Sequence, residues 1–212
     1  MIISDGQKHK LRDLLKLPEY TKNIETNCLK ANTVELKIAQ FLTEHGFEQQ
    51  YNKHNMLFKK SDLVGFVVDE RYINNKFFIH QPFGTQNSPD FIICVYGLII
   101  CLEDKSSKNG TIMWNSHIPR NDFLYHFCIP GYSTICFNPI EVSHDTAEIL
   151  STYIENSKIT AKETNHKLKN NVAGIPLTVY PRFMLEGTSL KNKQNLQIIQ
   201  HRSNELSELL NG

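Results

Sequence analysis

The sequence predicts a mixed α/β fold with a central mixed β-sheet flanked by helices, and three observations carry that prediction. Two dense apolar runs, Phe91 to Tyr96 and Leu98 to Leu102, are hinged at Gly97, and near-continuous hydrophobicity marks strands covered on both faces. Segments on either side place apolar residues at helical spacing. The composition, 40% hydrophobic and 21% charged over 212 residues with only ten Gly and eight Pro, is that of a globular chain able to bury a full core.

From the N-terminus, Leu11, Leu14, Leu15 and Leu17 share one helix face until Pro18, which predicts a short amphipathic helix interrupted there. Val34, Ile38, Phe41 and Leu42 predict a helix over 32–45, with Gly46 as its stop. Phe58, Leu63 to Val68 and Phe77 to Ile79 read as strand and turn material. Beyond the central pair, Phe123 to Ile129 and Tyr132 to Phe137 predict further strands, and 145–159 and 190–210 predict helices. The chain is expected to form a single domain over 1–212, with 150–212 as a DNA-recognition or dimerisation subregion.

Twenty-three Lys and Arg against 22 Asp and Glu give a net charge of +1, so any polyanion footprint must be local. Five cysteines, Cys28, Cys94, Cys101, Cys128 and Cys136, form no C-x-x-C pair and suggest neither a disulfide framework nor a zinc ribbon. The N-terminal residues lack the apolar core of a signal peptide, and no apolar run reaches about 18 residues. The expectation is a soluble, cytoplasmic protein.

The chemistry concentrates at Pro89-Asp90 and Glu103-Asp104-Lys105. Strand alternation puts Ile99, Cys101, Glu103 and Lys105 on one face and turns Asp104 to the other. A hairpin through Tyr96-Gly97 brings Asp90 back to the end where Glu103 emerges. Two carboxylates facing one another beside apolar surface raise each other's pKa, and a divalent cation relieves the conflict. Asp90, Glu103 and the backbone carbonyl of Asp104 make a hard oxygen set, which suits Mg²⁺ better than Zn²⁺. The Lys105 ammonium can then face an anionic substrate or help deprotonate water.

Pro89, Asp90, Glu103 and Lys105 resemble the signature of the PD-(D/E)XK nuclease superfamily. The resemblance implies a restriction-endonuclease-like fold in which the two acids hold the metal and the lysine positions or activates the attacking water. It also draws attention to Glu35, because nucleases of that superfamily often carry an acid on a helix leading into the core; Asn32-Thr33-Val34-Glu35 equally has the spacing of a capping box. The segment after Lys105 is similar to that of several type II restriction endonucleases. Its hydroxyl, amide, imidazole and guanidinium groups, Ser106, Ser107, Lys108, Asn115, Ser116, His117 and Arg120, are candidate DNA contacts; the alternative is an ordinary polar loop with Trp114 packed on the core.

A local basic bias follows in Lys158, Lys162, Lys167, Lys169, Arg182, Lys191 and Lys193, opposed by Glu155, Glu163 and Glu186. A DNA-facing surface or a solvated helix face accounts for it. His144-Asp145 has a hydrolytic look, but Ser143 before it is as good a helix cap. The expected function is a Mg²⁺-dependent, sequence-specific endonuclease acting on double-stranded DNA. The family implies 5′-phosphate and 3′-hydroxyl ends, and a palindromic target implies a homodimer. A repair or junction-resolving nuclease of the same fold, or a catalytically silent DNA-binding protein, are the alternatives.

Overall fold

The computed structural model describes residues 5–24, 31–63, 66–85, 87–115, 119–139, 143–171, 178–179 and 184–211. They form a mixed α/β structure in two compact units. One contains the main sheet with helices α1 (Asp5–Leu11), α2 (Leu17–Thr21), α3 (Ala31–Glu44) and α5 (Lys193–Asn211); the other contains α4 (His144–Asn171).

The central pair forms as the apolar runs dictate. Strand β4 (Phe91–Val95) turns at Tyr96 and Gly97 into the nine-residue β5 (Leu98–Ser106), with Phe91 opposite Leu102 and Val95 opposite Leu98. Both turn residues have positive φ, 48° and 83°, as the tight hairpin turn matched to strand twist requires. On β4's other edge, β3 (Lys76–His80) runs antiparallel, and β1 (Glu48–Gln50) lies parallel beyond it. The far edge of β5 is shared. β2 (Val67–Val68) pairs antiparallel with Leu98 and Ile99, and β7 (Leu124–Ile129) pairs parallel with Leu102–Ser106. β8 (Tyr132–Phe137) completes the seven-stranded sheet, and β6 (Thr111–Asn115) and β9 (Met184–Ser189) form a separate two-stranded one.

One face of the sheet presents Phe78, Phe91, Ile93, Val95, Leu98, Ile100, Leu102, Leu124 and Ile135 to α1, α2, α3, α5 and the 3₁₀ turn between α1 and α2, which contribute Leu11, Leu14, Leu17, Val34, Ile38, Phe41, Leu42, Leu206 and Leu210. The opposite face carries Phe77 and Ile79 of β3 and Ile92, Cys94, Ile99 and Cys101 of the central pair, all buried, with Phe58 and Tyr72 packed on Phe77. The apolar spacing of α3 is therefore its core contact. Its end is set by Gly46 at φ 77°, where Phe47 N–H reaches the Leu42 carbonyl at 2.9 Å.

Several boundaries differ from the sequence expectation. Pro18 lies in the first turn of α2, where a missing N–H costs nothing, and the leucines before it continue through a 3₁₀ turn over Arg12–Lys16. Of Leu63 to Val68 only Val67–Val68 is strand among the described residues, and Phe58 lies between two 3₁₀ turns. β1, β6 and β9 are strands that the sequence reading does not predict, β1 being wholly polar. The fourth helix extends past Ile159 to Asn171, its start capped by Ser143, whose Oγ accepts the Thr146 N–H at 3.2 Å. No helix among the described residues is long and apolar enough to cross a membrane.

Candidate active site

The β4–β5 register converts the two sequence fragments into one cluster. Phe91 opposes Leu102, so the next positions outward, Asp90 and Glu103, face one another at the mouth of the hairpin. Asp90 Oδ2 accepts the backbone N–H of Asp104 at 2.8 Å. Lys105, two residues beyond Glu103 on the same face, donates from Nζ to Glu103 Oε1 at 2.7 Å; these side chains are 8% and 6% exposed. Ser88 Oγ donates to the other carboxylate oxygen of Glu103, also at 2.7 Å. An extended residue directs its N–H and C=O to the same edge, so the Asp104 carbonyl points to the side on which Asp90 lies.

Glu35 reaches this end of the sheet from α3. Its Oε2 accepts from His80 Nε2 at 2.7 Å and from Gln81 Nε2 at 3.0 Å, and the His80 ring stacks on Phe91 at 4.8 Å between centroids. The capping-box alternative does not describe this geometry: α3 already includes Ala31 and Asn32, so Asn32 is helical, and the buried Glu35 carboxylate is directed to β3.

The electrostatics follow from this crowding. Burial, then the carboxylates of Glu103 and Glu35, push the Asp90 carboxyl up to about 8 against the pull of Lys105 and the Asp104 N–H. Burial also pushes Glu35 up, but hydrogen bonds from His80 and Gln81 and the charges of His80 and Lys105 outweigh it and hold that carboxyl below its ordinary value. Three acids thus share one site with Lys105 and His80, and the crowding disfavours a charge on the third carboxylate, Asp90.

Such a site has the chemistry to take a hard cation. Among the described residues no three His, Cys, Asp or Glu side chains are already grouped as a ligand set. The available donors are the Asp90 and Glu103 carboxylates with the Asp104 carbonyl, all oxygen, and the raised Asp90 pKa marks the negative charge that a cation would neutralise. The Asp104 side chain is not among them. It lies on the opposite face, as alternation requires, bonded to His126 Nδ1 at 2.6 Å and to Ser106 Oγ.

The candidate DNA contacts divide accordingly. Ser106 shares the Asp104 face, away from Glu103 and Lys105. Ser107 Oγ donates to Asn109 Oδ1, and Lys108 is exposed in the turn that follows β5. Arg120 is held within the fold by both oxygens of Asp122, at 2.9 and 2.6 Å, by the Leu63 carbonyl and by the Phe123 ring. Trp114 is buried. Asn115 ends β6 with its side chain outside the described residues, as are Ser116, His117 and, farther on, Arg182. Lys158, Lys162, Lys167 and Lys169 are exposed along α4, Lys191 is exposed just before α5, and Lys193 is exposed at its first position.

Sequence reasoning gave Ser88, His80 and Gln81 no role in the site. Ser88 adjoins Pro89, and His80 ends an apolar strand, but neither type at that place signals a partner until the register is known. Comparisons of the chain with family models, with curated proteins and with solved structures find no match.

Proposed function

We propose that the protein is a Mg²⁺-dependent endonuclease of the PD-(D/E)XK class acting on double-stranded DNA, most similar in design to a type II restriction enzyme and working as a homodimer. The observation that carries this reading is the meeting of Asp90, Glu103 and Lys105 at one end of the β4–β5 hairpin, with Lys105 2.7 Å from Glu103. In this reading Asp90, Glu103 and the Asp104 carbonyl hold the cation. When bound, Mg²⁺ supplies Lewis-acid polarisation of the phosphoryl oxygen and a more acidic water.

The chain's own groups do the rest. Ser88 and Lys105 fix the Glu103 carboxylate from opposite oxygens, so its orientation is set before substrate arrives. Lys105, which holds Glu103 Oε1 in this structure, would face the scissile phosphate, orient the attacking water and offset charge that develops on phosphorus-bound oxygens. Glu35, kept ionised by His80 and Gln81 and within the electrostatic reach of Lys105, serves as a proton acceptor or water-orienting group.

The test is incubation of the protein with plasmid and genomic DNA in Mg²⁺, with EDTA as control. Discrete fragments with 5′-phosphate ends support the proposal. Cleavage only of branched or mismatched DNA assigns the same chemistry to a repair or junction-resolving enzyme. DNA binding without metal-dependent cutting reduces the Glu103–Lys105 pair to a structural ion pair and defeats the proposal.

A further inference from the structure

Directly behind the acidic cluster, on the helix-covered face of the sheet, lies a second polar group that the proposed chemistry does not use. Asp104 and His126 oppose one another across the parallel β5–β7 pair, and Asp104 Oδ1 is 2.6 Å from His126 Nδ1. His126 Nε2 is 2.9 Å from Thr21 Oγ1 on α2 and 3.0 Å from Ser133 Oγ on β8; the two hydroxyls are 2.7 Å apart. Ser106 Oγ occupies the second oxygen of Asp104. The connectivity Asp–His–Ser is that of an acyl-transfer triad, but His126 and Thr21 have no exposed surface, so no substrate reaches the imidazole. A buried, fully bonded network of this kind fixes position instead.

The fixed object is the Asp104 peptide. Its side chain is anchored through His126 to α2 and β8, while its N–H, on the same residue, holds Asp90 Oδ2. We propose that His126, acting through Asp104, is the positioning residue of the site: the buried Asp104–His126 pair clamps the β5 peptide that holds Asp90 and thereby sets the spacing of the oxygen donors offered to a divalent cation. The cation part of this inference rests on the nuclease reading; the clamp itself does not. Partners one bond removed from a metal's ligands typically change its affinity 10- to 100-fold when removed, which sets the expected scale.

Two readouts separate the clamp from general stability. In metal-free protein, amide hydrogen exchange at Asp104 is compared with exchange at Ile93 and Ile100 in the ladder. His126→Phe should speed exchange at Asp104 at least about tenfold more than at those two. Thr21→Val, which leaves the Asp104–His126 bond in place, should not, and His126→Asn, whose amide can still donate to Asp104, should restore most of the protection. In the second arm, the Mg²⁺ concentration that half-saturates thermal stabilisation should rise about tenfold or more in His126→Phe and stay near wild type in His126→Asn. If His126→Phe does not fold, the double variant Asp104→Leu/His126→Phe, which leaves no unpaired buried partner, takes its place.

Equal exchange changes at Asp104, Ile93 and Ile100 overturn the clamp. A normal Mg²⁺ midpoint in a variant with a loosened Asp104 amide overturns its link to the cation. Absence of any Mg²⁺ response in the wild type defeats the nuclease reading, and with it the cation part of the inference, while the exchange arm still judges the clamp.

Discussion

Replacing Asp90 by Asn tests the electrostatic state of the site. The Asp90 carboxyl, pushed up to about 8 by burial and by the carboxylates of Glu103 and Glu35, ordinarily titrates near 3.8. Between those two values the folded chain holds a proton on Asp90 that the unfolded chain has lost. A raised folded-state pKa contributes stability that is complete below about pH 4 and is lost as pH rises through about 8. The limiting slope is about 1.4 kcal/mol per pH unit, so metal-free wild type should lose roughly 2–3 kcal/mol between pH 5 and pH 7 from this group alone. Asn is neutral, nearly isosteric, and can still accept the Asp104 N–H, so the Asp90→Asn curve should lack this component. The assay is urea unfolding at several pH values without divalent ions, read as the difference between the two proteins. In the nuclease reading, Mg²⁺ replaces the proton and flattens the wild-type slope. Parallel stability curves for the two proteins from pH 5 to pH 8 would refute the reasoning.

Three further outcomes are expected. Lys105→Ala should bind DNA within a few-fold of wild type yet cut it about 10²–10⁴-fold more slowly in a single-turnover assay; undiminished cutting removes Lys105 from the chemistry. Ser88→Ala takes a hydroxyl donor from the buried Glu103 carboxylate and should cost about 1–3 kcal/mol in urea unfolding, with no change arguing that Glu103 does not depend on that bond. Gly97→Ala introduces a Cβ at φ 83° and 3.1 Å from the Asp69 carbonyl oxygen, so about 1–2 kcal/mol should be lost at the β4–β5 turn; stability within a few tenths of wild type would show that the turn relaxes freely.

Where local pattern and tertiary environment agree, the fold is readable from residues alone. The runs 91–95 and 98–102 can be buried on both faces only as central strands, and Val34, Ile38, Phe41 and Leu42 form a single stripe only as a helix, so β4, β5 and α3 appear where the pattern puts them. β1 is three polar residues paired to β3, and β6 lies in the polar segment after Lys105 and is paired to β9, so their residues give little advance sign of them. The extension of α4 to Asn171 is similarly weakly marked, since most of its second half is exposed and polar.

The candidate site divides along the same physical line. Strand periodicity alone determined that Glu103 and Lys105 share a face and that Asp104 does not, and the Tyr96-Gly97 turn determined that Asp90 returns beside Glu103. Only the tertiary structure decided that Glu35 accepts from His80 and Gln81, that Ser88 holds Glu103, that Arg120 pairs with Asp122, and that His126 stands behind Asp104 on Thr21 and Ser133. The reason is range. A period of two residues acts within one strand, whereas those partners come from separate elements whose approach is fixed by the packing of helices and strands around the apolar core, and a single polar side chain carries no mark of the neighbour that packing will bring to it.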